Sequence, residues 1–496
     1  MTITELQQKI AEGLESARSI TEGYLSQIEA LDKQGPAVNA IIELNPDALA
    51  IADALDKERE TTGIRGPLHG IPILLKDNID TADKMMTTAG SLALIGSIAD
   101  QDAFLVQQLR QAGAIILGKT NLSEWANFRS SRSTSGWSSR GGQTRNPYIL
   151  DRNPCGSSSG SAVAVAANFC AGAIGTETDG SIVCPASFNG IVGVKPTLGL
   201  ISRSGIIPIA HSQDTAGPMT RTVQDAAILL GALTGDDPQD NATQESEGNA
   251  YTDYTQFLDK NGLQGARIGV ARNYFGRDER VDAIITQAIE TMKQLGAEIV
   301  DPANLDISDQ LEKTEYEVLL YEFKADLNQY LAGLGPNAPV RSIDDVIAFN
   351  EQHRDRVMPF FEQEEFLQAQ KKGSLTDEGY LQALQANHRL TRTEGIDKTM
   401  DTYQLDAIVA PTNGPSHLTD LVTGNGSVIS SSSSAAVAGY PNITVPAGYI
   451  HGLPVGISFL ARAYQEPALL KFAFAFEQET QIRQAPQFLP TAKLLH

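Results

Sequence analysis

Apolar positions recur at helical spacing over about residues 4–31 and again over about 46–60. The segment HGIPILLKDNID then breaks that rhythm with a short apolar run. It is bounded by Gly70-Ile71-Pro72 on one side and Asp77-Asn78 on the other, which predicts a buried strand ending in a polar turn. The alternation continues with a helix near 101–111, a strand at 114–117, a helix near 157–171 and a strand near 173–177. Further strands are predicted at 267–271, 297–300, 406–411 and 455–461. Strands that alternate with helices predict an α/β fold with a buried sheet. Residues 234–254 and 423–441 are polar or rich in Ser and Gly and read as surface excursions. The span from about 305 to 400 is charged, helical in pattern and poor in strand signals, so it reads as a helical cover. Without a repeat or a clean linker, residues 1–496 read as a single domain.

The stretch GSSSGSAVAVAANFCAGAIGTETDGS, residues 156–181, has polar Ser and Gly at both ends and small apolar residues between them. A helix over 161–171 carries the chain about 16 Å at ~1.5 Å per residue. A strand over 173–177 returns it about as far at ~3.3 Å per residue. Ser157 and Ser181 therefore come back to the same end of the sheet. Taken alone, the pattern fits serines that only cap a helix equally well. Lys76 changes that balance. A lysine at the tip of a buried strand loses solvation, which favours the neutral amine and lets it act as a base. A Ser-Ser-Lys relay then needs no histidine, with Ser181 as nucleophile and Ser157 as the bridge. The turn Thr178-Asp179-Gly180-Ser181 supplies backbone N–H groups for a developing oxyanion.

Two familiar motifs are present and fail in context. GAIILGKT at 113–120 fits the phosphate-loop spacing, but its middle residues are Ala114, Ile115, Ile116 and Leu117, a strand rather than a loop. GSSSG at 156–160 fits a nucleophile elbow centred on Ser158, but a turn containing Pro154 precedes it where a strand is required. Ser158 is accordingly expected to support the site rather than to attack.

Composition narrows the picture. Hydrophobic residues make up 41% of the chain and charged residues 20%, ordinary for a globular protein. The formal charge of −22 argues against nucleic acid or an anionic membrane as the main partner. The three cysteines, Cys155, Cys170 and Cys184, show no zinc spacing and are expected to be reduced thiols. The N-terminal stretch lacks the apolar core of a signal peptide, so a cytoplasmic location is expected. No apolar run reaches the ~18 residues of a membrane span.

The residues that carry these readings resemble the amidase signature family. Residues 156–197 are similar to its signature, HGIPILLKDNID to its catalytic-lysine segment, and SQDTAGPMTR at 212–221 to its next block. PNITVPAGYIHGLPVGISFLA near the C-terminus matches as well. The resemblance implies a large mixed β-sheet flanked by α-helices on both sides, with the signature region at about 65–235. It implies Lys76, Ser157 and Ser181 as the catalytic residues, a cis peptide bond at Ser157, and Thr178 to Ser181 around the oxyanion. It also implies hydrolysis of a carboxamide to acid and ammonia, with no cofactor and no metal.

Residues 121–147 and 319–331 are similar to the peptide amidase group of that family, which implies C-terminal peptide amides as substrates. In the family the segment holding Asn127 and Phe128 lines the acyl site, so Asn127 is expected to hydrogen-bond the substrate backbone. The expected partner is a small-molecule or short peptide amide. Two other readings stand beside it. One is the glutaminase component of a tRNA-dependent amidotransferase, which would use an arginine such as Arg354, Arg356, Arg389 or Arg392. The other is a general amidase. A binding protein without activity is disfavoured by the intact Lys76, Ser157 and Ser181.

Overall fold

The structure is a computed structural model that describes residues 1–305, 309–335, 338–426 and 429–492. Eleven strands form one mixed sheet. In chain order they are β1 (Ile41–Leu44), β2 (Pro72–Lys76), β3 (Ile115–Thr120), β4 (Gly172–Glu177), β5 (Val192–Lys195) and β6 (Thr215–Thr220). Then come β7 (Arg267–Val270), β8 (Glu298–Val300), β9 (Ala407–Pro411), β10 (Asn442–Ile450) and β11 (Leu453–Leu460). Across the sheet the order is β1-β3-β2-β4-β6-β5-β10-β11-β9-β7-β8. β2 runs parallel to both β3 and β4, whereas β4, β6, β5, β10, β11 and β9 pair antiparallel in turn. Helices pack around this sheet, as the α/β pattern predicts.

The strands that periodicity reveals are the apolar ones. β5, β6 and β10 escape it because VGVK, TAGPMT and NITVPAGYI mix Gly, Pro and Thr into fully covered positions. Their burial comes from the layers above and below, which no local pattern reports. β3 runs past its apolar core through Gly118, Lys119 and Thr120. This ends the phosphate-loop question. Lys119 is a buried strand residue whose amine donates to the carbonyls of Ile79 and Met86 and to Thr87 Oγ1.

The predicted helix at 157–171 is shorter, α1 at Ser159–Ala166, and a second short helix, α2 (Val183–Phe188), follows the Ser181 turn. Small residues let α1 lie flat on the sheet. A Cβ at Gly160 would stand 2.3 Å from the Ala40 carbonyl oxygen, so only glycine fits there. The described part of the span 305–400 holds helices joined by loops and no strand, led by α3 (Gln310–Gly333). With the helices at Ile343–Gln352 and Glu364–Gln370 it builds a second apolar cluster. That cluster includes Phe323 and Phe366 from the cover, Trp125 from the loop after β3, and Ile207 and Ile209 from the loop before β6. The cover is thereby anchored beside the end of β2.

Candidate active site

All five residues of β2 are buried, and Lys76 at its end is completely enclosed. Its amine reaches Ser157 Oγ at 2.7 Å, Thr176 Oγ1 at 2.8 Å and the Thr176 carbonyl at 3.2 Å. Burial lowers its pKa to about 7, against the opposing charges of Asp214 and Glu177. Asp77 turns its carboxylate the other way, accepting from Thr88 Oγ1, the Gly90 N–H and Arg140. The lysine thus keeps no carboxylate in hydrogen-bond contact, and its neutral form is within reach at ordinary pH.

The chain from Gly156 to Ser181 returns on itself through the helix Ser159–Ala166 and the strand Gly172–Glu177. The Gly156–Ser157 peptide is cis. The Ser157 carbonyl accepts from the Ser123 N–H, and the Ser158 N–H donates to the Ser181 carbonyl at 3.1 Å, which joins the two ends of the hairpin. Ser158 Oγ donates to the Thr176 carbonyl and accepts from the Thr176 N–H. Its hydroxyl therefore ties the start of α1 to β4 and has little freedom to attack anything.

The turn after β4 is built to present N–H groups. Gly180 has φ +80°, a left-handed conformation that glycine takes without strain. Glu177 Oε2 accepts from the N–H groups of Ile182 and Val183 at 2.8 and 3.0 Å, which fixes the first turn of α2. Among the described residues none accepts from the N–H groups of Asp179, Gly180 or Ser181. Thr178 is held by its hydroxyl on Asp214 at 2.5 Å and by its carbonyl on Gln213. Asp179 accepts from Ser432 and Ser433. Such a turn can meet a negative oxygen beside Ser181 without first breaking protein hydrogen bonds.

The model of the family described as Amidase matches residues 19–470. The chain belongs to the amidase family. A probable amidase of Arabidopsis thaliana is 44% identical over 98% of this chain and 91% of the relative. A glutamyl-tRNA(Gln) amidotransferase component from Thermoanaerobacter pseudethanolicus is 33% identical over 99% of both. Among solved structures, the native peptide amidase of Stenotrophomonas maltophilia is 50% identical with a TM-score of 0.93, covering 98% of each chain. A peptide amidase in complex with the competitive inhibitor chymostatin gives a TM-score of 0.96 at 50% identity, over 98% of this chain and 99% of that one. The protein is therefore an amide-hydrolysing enzyme with the fold that the resemblance implied.

In this amidase the expectation of three reduced thiols is corrected. Cys155 and Cys184 form a disulfide across 29 residues, and only Cys170 is a free, buried thiol. The same return of the chain that brings the two serines together does this. Cys155 lies two residues before Ser157 and Cys184 three after Ser181, so the cystine closes the hairpin just outside its chemistry.

Asn127 and Phe128 stand at the edge of the site in different roles. Asn127 sits at φ +74°, donates its N–H to Ser123, and leaves its side-chain oxygen without a partner. Phe128 packs edge-on against Phe323 with ring centroids 5.0 Å apart, so it belongs to the cover's apolar cluster. A cavity of about 830 Å³ opens beside these residues, walled by Asn78, Ala126, Thr176, Thr178, Asp214 and Tyr330. On its rim His211 lies between Asp326 at 2.8 Å and Glu322 at 3.4 Å. Both ring nitrogens face carboxylates, an arrangement that suits an imidazolium; its pKa is raised accordingly, although burial works the other way. Sequence reasoning missed Thr176, Gln213 and Asp214. The first lies inside the hairpin already singled out. The other two lie in the 212–221 block, where nothing local marks their contacts.

Proposed function

We propose that this amidase removes the C-terminal carboxamide of peptides as ammonia through a Ser-Ser-Lys acyl-enzyme route. The observation that carries the mechanism is the 2.7 Å hydrogen bond between Lys76, buried with its pKa lowered to about 7, and Ser157. Neutral Lys76 accepts the Ser157 proton while Ser157 accepts the proton of Ser181. Ser181 Oγ then bonds to the carboxamide carbon, and its oxygen takes the charge toward the N–H groups of Asp179, Gly180 and Ser181. The proton returns through Ser157 to the leaving nitrogen, the C–N bond breaks, and ammonia departs. Water repeats the sequence on the ester, giving the free acid and restoring Ser181. All of this is hydrolytic, and no step calls on a cofactor or metal.

The likeness to the peptide amidases, at 50% identity, supports the peptide amide as substrate. The glutaminase reading is favoured less. Its relative is 33% identical. Of the four arginines it would draw on, Arg354 pairs with Glu351 and Glu362, Arg389 with Glu394, and Arg392 with the Ala438 carbonyl, while Arg356 is exposed. The test is ammonia release from dipeptide amides, free glutamine and simple aliphatic amides by the purified chain. Turnover confined to glutamine would overturn the peptide reading. Ser181→Ala should abolish turnover and leave the fold intact, whereas Ser158→Ala should be milder. A dead Ser158→Ala beside an active Ser181→Ala would move the nucleophile.

A further inference from the structure

The Ser- and Gly-rich stretch 423–441 reads in the sequence as a surface excursion, yet its second half turns inward. Ser431, Ser432 and Ser434 are buried and Ser433 is half-buried. The tract is tied to the far half of the sheet. Ser430 bridges to Asn413, and the Ser431 N–H donates to the Thr412 carbonyl just past β9. The Thr412 hydroxyl in turn shares hydrogen bonds with Thr444 of β10 at 2.7 Å and Ser458 of β11 at 3.0 Å. From this base Ser432 Oγ donates to Asp179 Oδ1, and Ser433 Oγ donates to Asp179 Oδ2 at 2.6 Å. Ser430 Oγ lies 2.9 Å from Ser432 Oγ and backs it. Consecutive serines thus hold both oxygens of one carboxylate in the nucleophile turn, and no step of the proposed reaction uses that carboxylate.

The other holds on this turn act at its ends. Thr178 is fixed by Asp214 and Gln213. The Gly180 carbonyl accepts from the Cys184 N–H, and the Ser181 carbonyl from the Ser158 N–H. Gly180 has no side chain, so the Asp179 carboxylate is the side-chain anchor of the two residues between Thr178 and Ser181. The fit is close: a Cβ on Gly180 would stand 3.0 Å from Ser432 Oγ.

We infer that Asp179 is a positioning residue: Ser432 and Ser433 clamp its carboxylate and so hold the N–H groups of Asp179 and Gly180 where the oxygen of the reacting carboxamide becomes an anion. The inference rests on the proposed reaction at Ser181. An oxyanion site works by having its donors in place beforehand, and a turn free to tilt must be ordered anew in every transition state. The clamp joins the two halves of the sheet across the site, since the turn follows β4 and the serines hang from β9. It calls for hydrogen-bond partners of the right shape rather than for a charge. An asparagine at 179 can accept one hydroxyl through Oδ1 and donate to the other through Nδ2, because a hydroxyl can reverse its role.

Two measurements on the full chain test this, each made below the variant's thermal midpoint so that the rates refer to folded enzyme. One is kcat and KM for ammonia release from a dipeptide amide. The other is the rate at which phenylmethylsulfonyl fluoride sulfonylates Ser181, read by intact mass with Ser181→Ala as the unlabelled control. Asp179→Ala should lower kcat about 10–100-fold with KM little changed, and sulfonylation should slow with it. Ser432→Ala combined with Ser433→Ala should show a similar loss. Adding both serine changes to Asp179→Ala should bring no further loss, because the clamp is already open. Asp179→Asn should recover most of the kcat that Asp179→Ala loses. The inference is overturned if Asp179→Asn is as slow as Asp179→Ala, if the serine double variant keeps wild-type kcat, or if the serine and aspartate losses multiply in the combined variant. If no amide is hydrolysed while sulfonylation follows this pattern, the substrate reading fails and the clamp stands. If amides are hydrolysed and every variant matches the wild type in both rates, the clamp falls and the substrate reading stands.

Discussion

Lys76 ends β2, and Lys119 is the last residue but one of the neighbouring parallel β3, one register step back, with Leu75 opposite Lys119 and Lys76 opposite Thr120. Both are fully buried, and burial lowers the pKa of both. Their partners differ in kind. Lys119 donates to two backbone carbonyls and one threonine hydroxyl. A carbonyl can only accept, so that site asks for N–H donors and rewards the ammonium. Lys76 faces two hydroxyls and one carbonyl. A hydroxyl can reverse its role, so the neutral amine can donate twice and still accept a proton from Ser157. Desolvation makes a lysine capable of neutrality; the chemistry of its partners decides whether that neutrality is of any use. Carboxylates act on both, Asp77 and Asp80 on Lys119 and Asp214 and Glu177 on Lys76, so it is the hydrogen-bond partners that set the two apart.

The largest expected effect comes from removing the base. Lys76→Ala should cost about 10²–10⁴-fold in kcat, measured as ammonia release, with the fold retained by circular dichroism. Lys76→Arg should not rescue it, because a guanidinium stays charged. An active Lys76→Arg enzyme would erase the distinction between the two lysines.

The pH dependence follows with its sign. Folded Lys76 titrates near 7, far below its ordinary value of 10.5. Turnover should therefore fall on the acid side as pH drops through about 7, where the amine takes up a proton and stops serving as a base. Between about 7 and 10.5 the unfolded chain holds a proton that the folded lysine has released. This residue therefore makes stability rise with pH across that window. Lys76→Met should remove that slope, as read from thermal midpoints at several pH values. A slope unchanged in Lys76→Met would place the depressed group elsewhere.

Lys119→Met should do the reverse of Lys76→Ala. It strands two carbonyls and a hydroxyl in the interior, so it should cost about 1–3 kcal/mol per group left unpaired in denaturant unfolding. Whatever enzyme remains folded should turn over nearly normally. A stable but inactive Lys119→Met would mean that this lysine also takes part in the chemistry. The smallest effect is expected at Asn127→Ala. Losing one hydrogen bond to substrate should raise KM by a few-fold, about 1 kcal/mol, with kcat little changed. A change in kcat alone would instead make Asn127 part of the loop's own scaffold.

Much of the site could be read from the chain because its residues sit on regular elements with known rise. Lys76 ends an apolar run, and a helix followed by a strand running back returns Ser181 toward Ser157, although the helix is shorter than predicted and the two lengths do not match. The sheet was legible where strands are apolar, as at β2, β3 and β9. It was not where Gly, Pro and Thr fill positions that other layers cover, as at β5, β6 and β10. The cystine between Cys155 and Cys184 follows from the same return as the serines. Its spacing resembles no disulfide framework, so only the folded hairpin reveals it.

The sequence by itself determined the α/β alternation, the helical cover, the strand-tip lysine and the paired serine clusters, because each depends on local period, length and burial. Only the tertiary structure decided that Thr176 and Ser157 surround Lys76, that Arg140 draws Asp77 away, and that Glu315 of the cover holds Gln213 against the Thr178 carbonyl. These contacts join segments from different parts of the chain. Their protonation states depend on desolvation and on donors brought in by other elements, and no stretch of sequence encodes either until the cover closes over the sheet.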